Sequence, residues 1–292
     1  MMLEMGELMV KYRTLVVSAL AAVMLLAGCS GGAGSAVRPE SSGELSEPAS
    51  AVVSVAEPEI SAPEEPAVSA PEEPAISVPE EPVELGWSWF DDAVMIGDSV
   101  SLKLKNHVTK ARQTDPGYFG QGQFLTSGSL GSANALWEVS DKSVHPAYQG
   151  EKMLLEQSIP LTGAKKVYMM LGINDIAVYG IDGAIENYKT LLDKIETAAP
   201  GVEFYIQSAT PICEGGEKGA LNNANLEEYN RKLEEMCQAR GVRFVDVASV
   251  MRDENGYLPR NYCSDPDGMG IHLTDEGCQV WLDFLLEDAA AG

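Results

Sequence analysis

The stretch Ala93-Val-Met-Ile-Gly-Asp-Ser-Val-Ser101 decides how this chain is read. Its apolar residues run without alternation, as in a strand buried on both faces, and they stop at Gly97-Asp98-Ser99 before a segment with helical spacing. A glycine permits a sharp turn there. A serine at the start of a helix has its hydroxyl toward solvent and backbone N–H groups beside it, and these can stabilise a developing oxyanion. Taken alone, Gly-Asp-Ser is an ordinary turn tripeptide. Its meaning depends on what the rest of the chain brings to it.

Toward the C-terminus, Val100, Leu102, Leu104 and Val108 predict a helix from Ser99 to about Lys110. Gln123-Phe-Leu-Thr126 reads as a second short strand, closing in Ser127-Gly128-Ser129-Leu130-Gly131, and a helical segment is expected around residues 133–139. Lys165-Lys-Val-Tyr-Met-Met-Leu171 is a buried strand that ends in Gly172-Ile173-Asn174-Asp175. Ile185, Tyr188, Leu191, Leu192 and Ile195 mark the following helix, stopped by Pro200-Gly201. Val202-Glu-Phe-Tyr-Ile-Gln207 and Val242-Arg-Phe-Val-Asp-Val247 are further strands, with a helix through Leu226, Tyr229, Leu233 and Met236 between them. A long loop through Asp265-Pro-Asp267-Gly268 reaches His272, and Thr274 caps a last helix. Apolar strands alternating with helices predict an α/β fold: a three-layer α/β/α sandwich around a five-stranded parallel sheet, of flavodoxin-like type. In such a sheet ligands sit beyond the carboxyl ends of the strands. Ser99, Gly128, Asn174 and the His272 loop all fall at that end.

Toward the N-terminus the composition changes. Lys11 and Arg13 precede an apolar run from Leu15 to Ala27, too short to span a bilayer and arranged as an export signal. It ends in Leu26-Ala27-Gly28-Cys29, which resembles a bacterial lipobox. That resemblance implies cleavage before Cys29 and acylation of its thiol by palmitate-type chains, and two such chains anchor a protein stably. From Ser30 to about Leu85 the chain is rich in Pro, Glu, Ser and Ala, with no aromatic residue, and cannot bury enough surface to fold. Ser61-Ala-Pro-Glu-Glu-Pro-Ala-Val68 repeats with a period of eight residues through Glu84. Twelve glutamates between Glu40 and Glu84, against Arg38 alone, supply about half of the formal net charge of −24. Three regions are expected: a signal segment at residues 1–28, a disordered acidic tether at 29–86 and a folded domain at 87–292. The implied location is the extracytoplasmic face of the cell membrane, lipid-anchored, as a monomer. The acidic balance argues against nucleic acid as a partner. Cys213, Cys237, Cys263 and Cys278 match no zinc spacing and read as buried thiols or at most one bridge.

A hydroxyl becomes a useful nucleophile only with a base in reach, and acyl transfer also needs donors aimed at the carbonyl oxygen. The chain has three histidines. His107 lies within the first helix and reads as a surface residue, and His145 in Val144-His-Pro-Ala147 reads as a loop packing residue. His272 is the one good base. On these residues the sequence resembles the SGNH, or GDSL, hydrolase family, from about Trp89 to the C-terminus. The resemblance implies Ser99 as nucleophile, with its own N–H in the oxyanion hole beside Gly128, or the nearby Gly131, and the amide of Asn174 in the Gly172-Ile173-Asn174-Asp175 block. It implies His272 as base, followed by Leu273-Thr274-Asp275-Glu276-Gly277 at the start of the closing helix. The family places an Asp three residues before the His, and here that position is Met269. Asp267 is the expected orienting carboxylate, with Asp265 or a backbone carbonyl as alternatives.

The resemblance implies a serine esterase that needs no metal and no cofactor. With the tether, it points to a cell-surface enzyme acting on short acyl esters, O-acetyl groups on peptidoglycan or other carbohydrate. A lysophospholipase or acyltransferase of the same fold is the alternative enzyme reading. A non-catalytic wall-binding module is the alternative outside enzymes, and the missing Asp before His272 is its best support.

Overall fold

The computed structural model describes residues 85–291; the expected export signal, Cys29 and nearly all of the tether lie outside the described residues. Trp87–Phe90 forms a turn of 3-10 helix. Strand β1, Ala93–Gly97, follows with all five residues buried. Helix α1, Ser99–Ala111, starts at Ser99 because the preceding Asp98 caps it, its Oδ1 accepting the Val100 N–H at 2.8 Å. Then come β2, Gln123–Thr126, a small antiparallel ribbon of β3, Ala147–Tyr148, and β4, Glu151–Lys152, and α2, Leu155–Thr162. Strand β5, Lys166–Met170, leads into α3, Ile173–Ala198, which is interrupted at Gly180. The chain continues through β6, Glu203–Gln207, α4, Asn223–Arg240, β7, Arg243–Val245, the short α5, Val247–Val250, and α6, Asp275–Ala291.

The main sheet has the order β2-β1-β5-β6-β7, and every neighbouring pair is parallel. Helix α1 packs on α6, and α5 joins them; α2 and α4 pack on α3. These two groups form the outer layers of the α/β/α sandwich. The unalternating apolar strands are thus explained, since a central parallel strand must be apolar on both sides. The core also contains polar atoms with partners: the fully buried Trp281 donates Nε1–H to the fully buried Gln207 Oε1 at 2.7 Å. Burying side chains such as Trp281, Tyr168, Met95 and Leu104 contributes roughly 1.5–3 kcal/mol each relative to exposure.

Two regions depart from the sequence reading. The helix expected around residues 133–139 is only a 3-10 turn, Asn134–Leu136. Its approach is held from outside, because the Ser132 and Ala133 N–H groups donate to Asp175 at 2.8 and 3.0 Å and are not left to nucleate a helix. Between residues 140 and 164 the ribbon and α2 carry no clear sequence pattern. The two ribbon strands are two residues each, and α2 contains Pro160, a helix breaker by rule.

Candidate active site

Strand β1 delivers Ser99. A Cβ on Gly97 would lie 2.0 Å from Ser101 Oγ and 2.9 Å from the Met170 carbonyl oxygen, so only glycine lets the strand end turn into the helix here. Gly97 O accepts the Ser127 N–H at 3.1 Å, which ties the end of β1 to the end of β2. Asp98 and Val100 are buried while Ser99 is half-buried. The turn thus exposes one hydroxyl from an otherwise closed segment.

His272 comes to that hydroxyl from the far end of the chain, with Nε2 at 3.0 Å from Ser99 Oγ. Its Nδ1 faces Asp265 Oδ2 at 2.7 Å, and its backbone N–H donates to Asp265 Oδ1 at 3.0 Å. The expectation of Asp267 is therefore corrected. Asp267 sits at the tip of the loop with its side chain 90% exposed, paired with Arg260 at 3.1 Å. Asp265 succeeds across seven residues because the loop folds back on itself. Gly268 and Gly270 N–H groups both donate to Asp265 O, at 2.8 and 3.1 Å, while Cys263 bridges Leu273 and Ser264 N–H donates to His272 O at 2.7 Å. The segment before the loop and the segment after it thus run side by side, with Asp265 against His272. The carboxylate missing at Met269 is supplied from further back, so that gap no longer favours a binding-only module. Burial opposes the Asp265 charge, but hydrogen bonds from the His272 ring and backbone outweigh it and hold the carboxyl below its ordinary value.

Three groups at the strand ends can donate to an oxyanion. The Ser99 N–H opens α1. Gly128 is exposed, and among the described residues its N–H has no acceptor, whereas the Gly131 N–H donates to Asn134 Oδ1 at 2.8 Å. Of the two amides, that of Gly128 is the one left free to donate. Asn174, in the first turn of α3, has its Nδ2 at 3.1 Å from both Asp98 Oδ2 and Leu130 O. Gly172 before it has φ +130°, and a Cβ there would meet the Tyr229 ring at 2.4 Å. The neighbouring Asp175 is the buried carboxylate that takes the Ser132 and Ala133 amides, joining the loop after β2 to α3. Sequence reasoning assigned no role to Asp98 or Asp175; both occur inside the motifs and their burial is a tertiary property. The other histidines are placed elsewhere. His107 links Tyr118 Oη at 3.1 Å and Asp275 Oδ1 at 3.3 Å with only 13% of its side chain exposed, and so is not the surface residue expected; His145 is buried with Nε2 on Ala135 O at 3.3 Å. Among the described residues no group of three or more His, Cys, Asp or Glu could hold a metal ion.

Burial pushes the Asp98 carboxyl up to about 6, against the pull of the Val100 N–H and of His272, with Asp175 acting in the same direction as burial. In the unfolded chain an aspartate ionises near pH 4, so Asp98 contributes stability that is complete below about pH 4. That contribution is lost as pH rises through about 6. In urea unfolding, the stability of the wild type relative to Asp98→Asn is expected to decline between pH 4 and 6 by on the order of 2–3 kcal/mol. A difference that stays constant across this window would show that Asp98 does not titrate there.

A half-open serine hydroxyl on an imidazole, a carboxylate behind it and amide donors beside it are chemically suited to acyl transfer. Residues 107–280, more than half of the chain, match the GDSL-like lipase/acylhydrolase family model. The chain belongs to that family of ester-hydrolysing enzymes. The matched residues include Gly128, Asn174, Asp265 and His272; Ser99 precedes them, and its assignment rests on geometry. Among solved structures, a Streptococcus pneumonia protein proposed to be a platelet activating factor shares 18% identity and a TM-score of 0.50, over 70% of this chain and 89% of that one. A Bacteroides fragilis protein proposed to be an acylhydrolase shares 18% identity and a TM-score of 0.50, over 68% of this chain and 86% of that one. At that identity these likenesses speak for the fold. No curated protein sequence matches the chain.

Proposed function

We propose that the protein is a cell-surface serine esterase that removes short acyl groups, O-acetyl above all, from peptidoglycan or other carbohydrate. Cys29, once acylated, holds it on the extracytoplasmic face of the membrane, and the acidic Pro-rich segment spaces the enzyme from that surface. The observation that carries the catalytic reading is the continuous relay from Ser99 Oγ to His272 Nε2 at 3.0 Å and from His272 Nδ1 to Asp265 Oδ2 at 2.7 Å.

Ser99 Oγ attacks the ester carbonyl carbon as its proton passes to His272 Nε2, and Asp265 stabilises the resulting imidazolium. The Ser99 and Gly128 N–H groups and Asn174 Nδ2 hold the oxyanion; Asn174 stays anchored by Asp98 and gives the oxyanion the hydrogen it otherwise lends to Leu130 O. Collapse of the tetrahedral intermediate expels the sugar oxygen, which takes the proton from His272. Water, deprotonated by His272, then attacks the acyl-enzyme and releases the acid with Ser99 restored.

A cavity of about 500 Å³ lies elsewhere, beside α4 and β7, lined by polar residues such as Asn230, Asp246, Arg252 and Tyr257, and neither Ser99 nor His272 borders it. Chain-length preference on p-nitrophenyl esters tests the substrate reading: activity is expected to peak at the acetyl ester. A peak at the octanoyl ester or beyond would overturn it in favour of a lysophospholipase. Acetate release from O-acetylated peptidoglycan by the full-length chain is the matching measurement on a natural polymer.

A further inference from the structure

The cavity beside α4 and β7 borders neither Ser99 nor His272, yet it is built at the same end of the sheet. Ala209 and Pro211 follow the carboxyl end of β6, Asp246 and Ala248 follow that of β7, and all four line it. In the order β1-β5-β6-β7 these ends lie two and three places from the strand that delivers Ser99, or about 10–14 Å across the sheet at the usual strand spacing. The backbone around the cavity is fixed by side chains. Asn230 Oδ1 accepts the Ala209 N–H at 2.8 Å and its Nδ2 donates to Ala209 O at 2.9 Å; Asn223 does the same for Ile212 at 2.7 and 2.9 Å. Ser208 Oγ donates to Asp246 Oδ1 at 3.1 Å. One rim is a turn in which Asp253 Oδ1 accepts the Asn255 and Tyr257 N–H groups at 2.9 and 3.0 Å, and among the described residues the Asn255 amide and the Tyr257 hydroxyl have no partner. The Leu258 N–H then ties this turn to Ile212 O at 3.1 Å.

The lining carries both signs of charge. Glu217, Glu227, Glu234 and Asp246 face the cavity together with Arg231 and Arg252. Arg231 is already occupied, with Nε and Nη2 on Glu228 at 2.8 and 2.7 Å and Nη1 on Glu235, while Arg252 Nη2 stands 3.8 Å from Asp246 Oδ2. A phosphate or other anion would meet an excess of carboxylates, and an ammonium group would meet Arg252. An uncharged ligand rich in hydroxyls suits such a lining, because a hydroxyl donates to a carboxylate and accepts from a guanidinium or an amide. The half-buried rings of Phe244 and Tyr257 can take its C–H faces. The volume of about 500 Å³ is that of a small-ligand site. We propose that this cavity is a second carbohydrate site, which holds sugar units of a glycan chain whose acyl-bearing unit lies at Ser99. The link to Ser99 rests on the proposed esterase function; binding in the cavity does not.

The test is isothermal titration of the full-length chain with the tetramer of N-acetylglucosamine, a neutral oligosaccharide without ester groups, and with hydrogen exchange to locate the contact. The expected result is saturable binding with slowed exchange in residues 223–231 and 252–257. The tetramer of glucose is titrated beside it: binding of either supports the site, and the tighter of the two names the glycan. Tyr257→Ala is expected to weaken binding by about tenfold or more, and Asn255→Ala by about threefold to tenfold. Asn255 is exposed, so its variant decides the matter even where Tyr257→Ala folds poorly. Absence of saturable binding, protection confined to residues 97–101 and 265–272, or an affinity unmoved by Asn255→Ala in a protein that melts like the wild type would overturn the proposal. Tighter binding of spermidine or of inorganic phosphate than of either oligosaccharide would overturn it as well. None of these readouts uses hydrolysis, so an inactive Ser99 and an empty cavity are told apart.

Discussion

Replacing Ser99 by alanine is expected to lower kcat on p-nitrophenyl acetate by at least about 10⁴-fold, because loss of the nucleophile disables the whole serine–histidine unit and leaves only substrate positioning and oxyanion stabilisation. The fold should not change. The Ser99 hydroxyl bonds His272 Nε2 at 3.0 Å, and the cap of α1 is Asp98, whose Oδ1 holds the Val100 N–H at 2.8 Å. Melting within a degree or two of the wild type would separate chemistry from folding. A fluorophosphonate probe should label the wild type at Ser99 and leave the alanine variant unlabelled. Hydrolysis that survives the substitution, or labelling at another serine, would remove Ser99 from the mechanism.

The second large effect distinguishes two aspartates two residues apart. Asp265→Asn should reduce kcat by about 10³–10⁴-fold with little change in KM, since the amide no longer fixes the tautomer of the imidazole or stabilises its protonated form. Asp267→Asn should stay within about twofold, because its partner is Arg260 at an exposed loop tip and exposed pairs contribute little. Equal losses in the two variants, measured by steady-state kinetics, would refute the assignment. The depressed Asp265 carboxyl also has a stability consequence. Its contribution is present above the ordinary aspartate range and is lost as pH falls through the folded value, opposite in sign to that of Asp98.

The parallel sheet was legible because its strands are apolar on both faces and each ends at a turn residue. Gly97, Gly128 and Gly172 marked three of those ends, and their chemistry is local: a close backbone approach at Gly97, an open amide at Gly128, a positive φ beneath the Tyr229 ring at Gly172. The orienting carboxylate was less legible. Counting along the chain favoured Asp267 because proximity in sequence is the only distance a sequence reveals. The fold of the loop, with two N–H groups returning to Asp265 O, reverses that order. The short ribbon, α2 and the 3-10 turn at Asn134–Leu136 escaped because elements of two to eight residues carry too little periodicity to read.

The amino-acid sequence by itself determined the layered α/β architecture and the turns that end its strands at Ser99 and Asn174, because hydrophobic period and turn chemistry are written residue by residue. Which carboxylate faces His272 and which glycine amide stays free were decided only by tertiary structure. Each depends on where a loop returns in space, and that is set by hydrogen bonds and packing between segments dozens of residues apart.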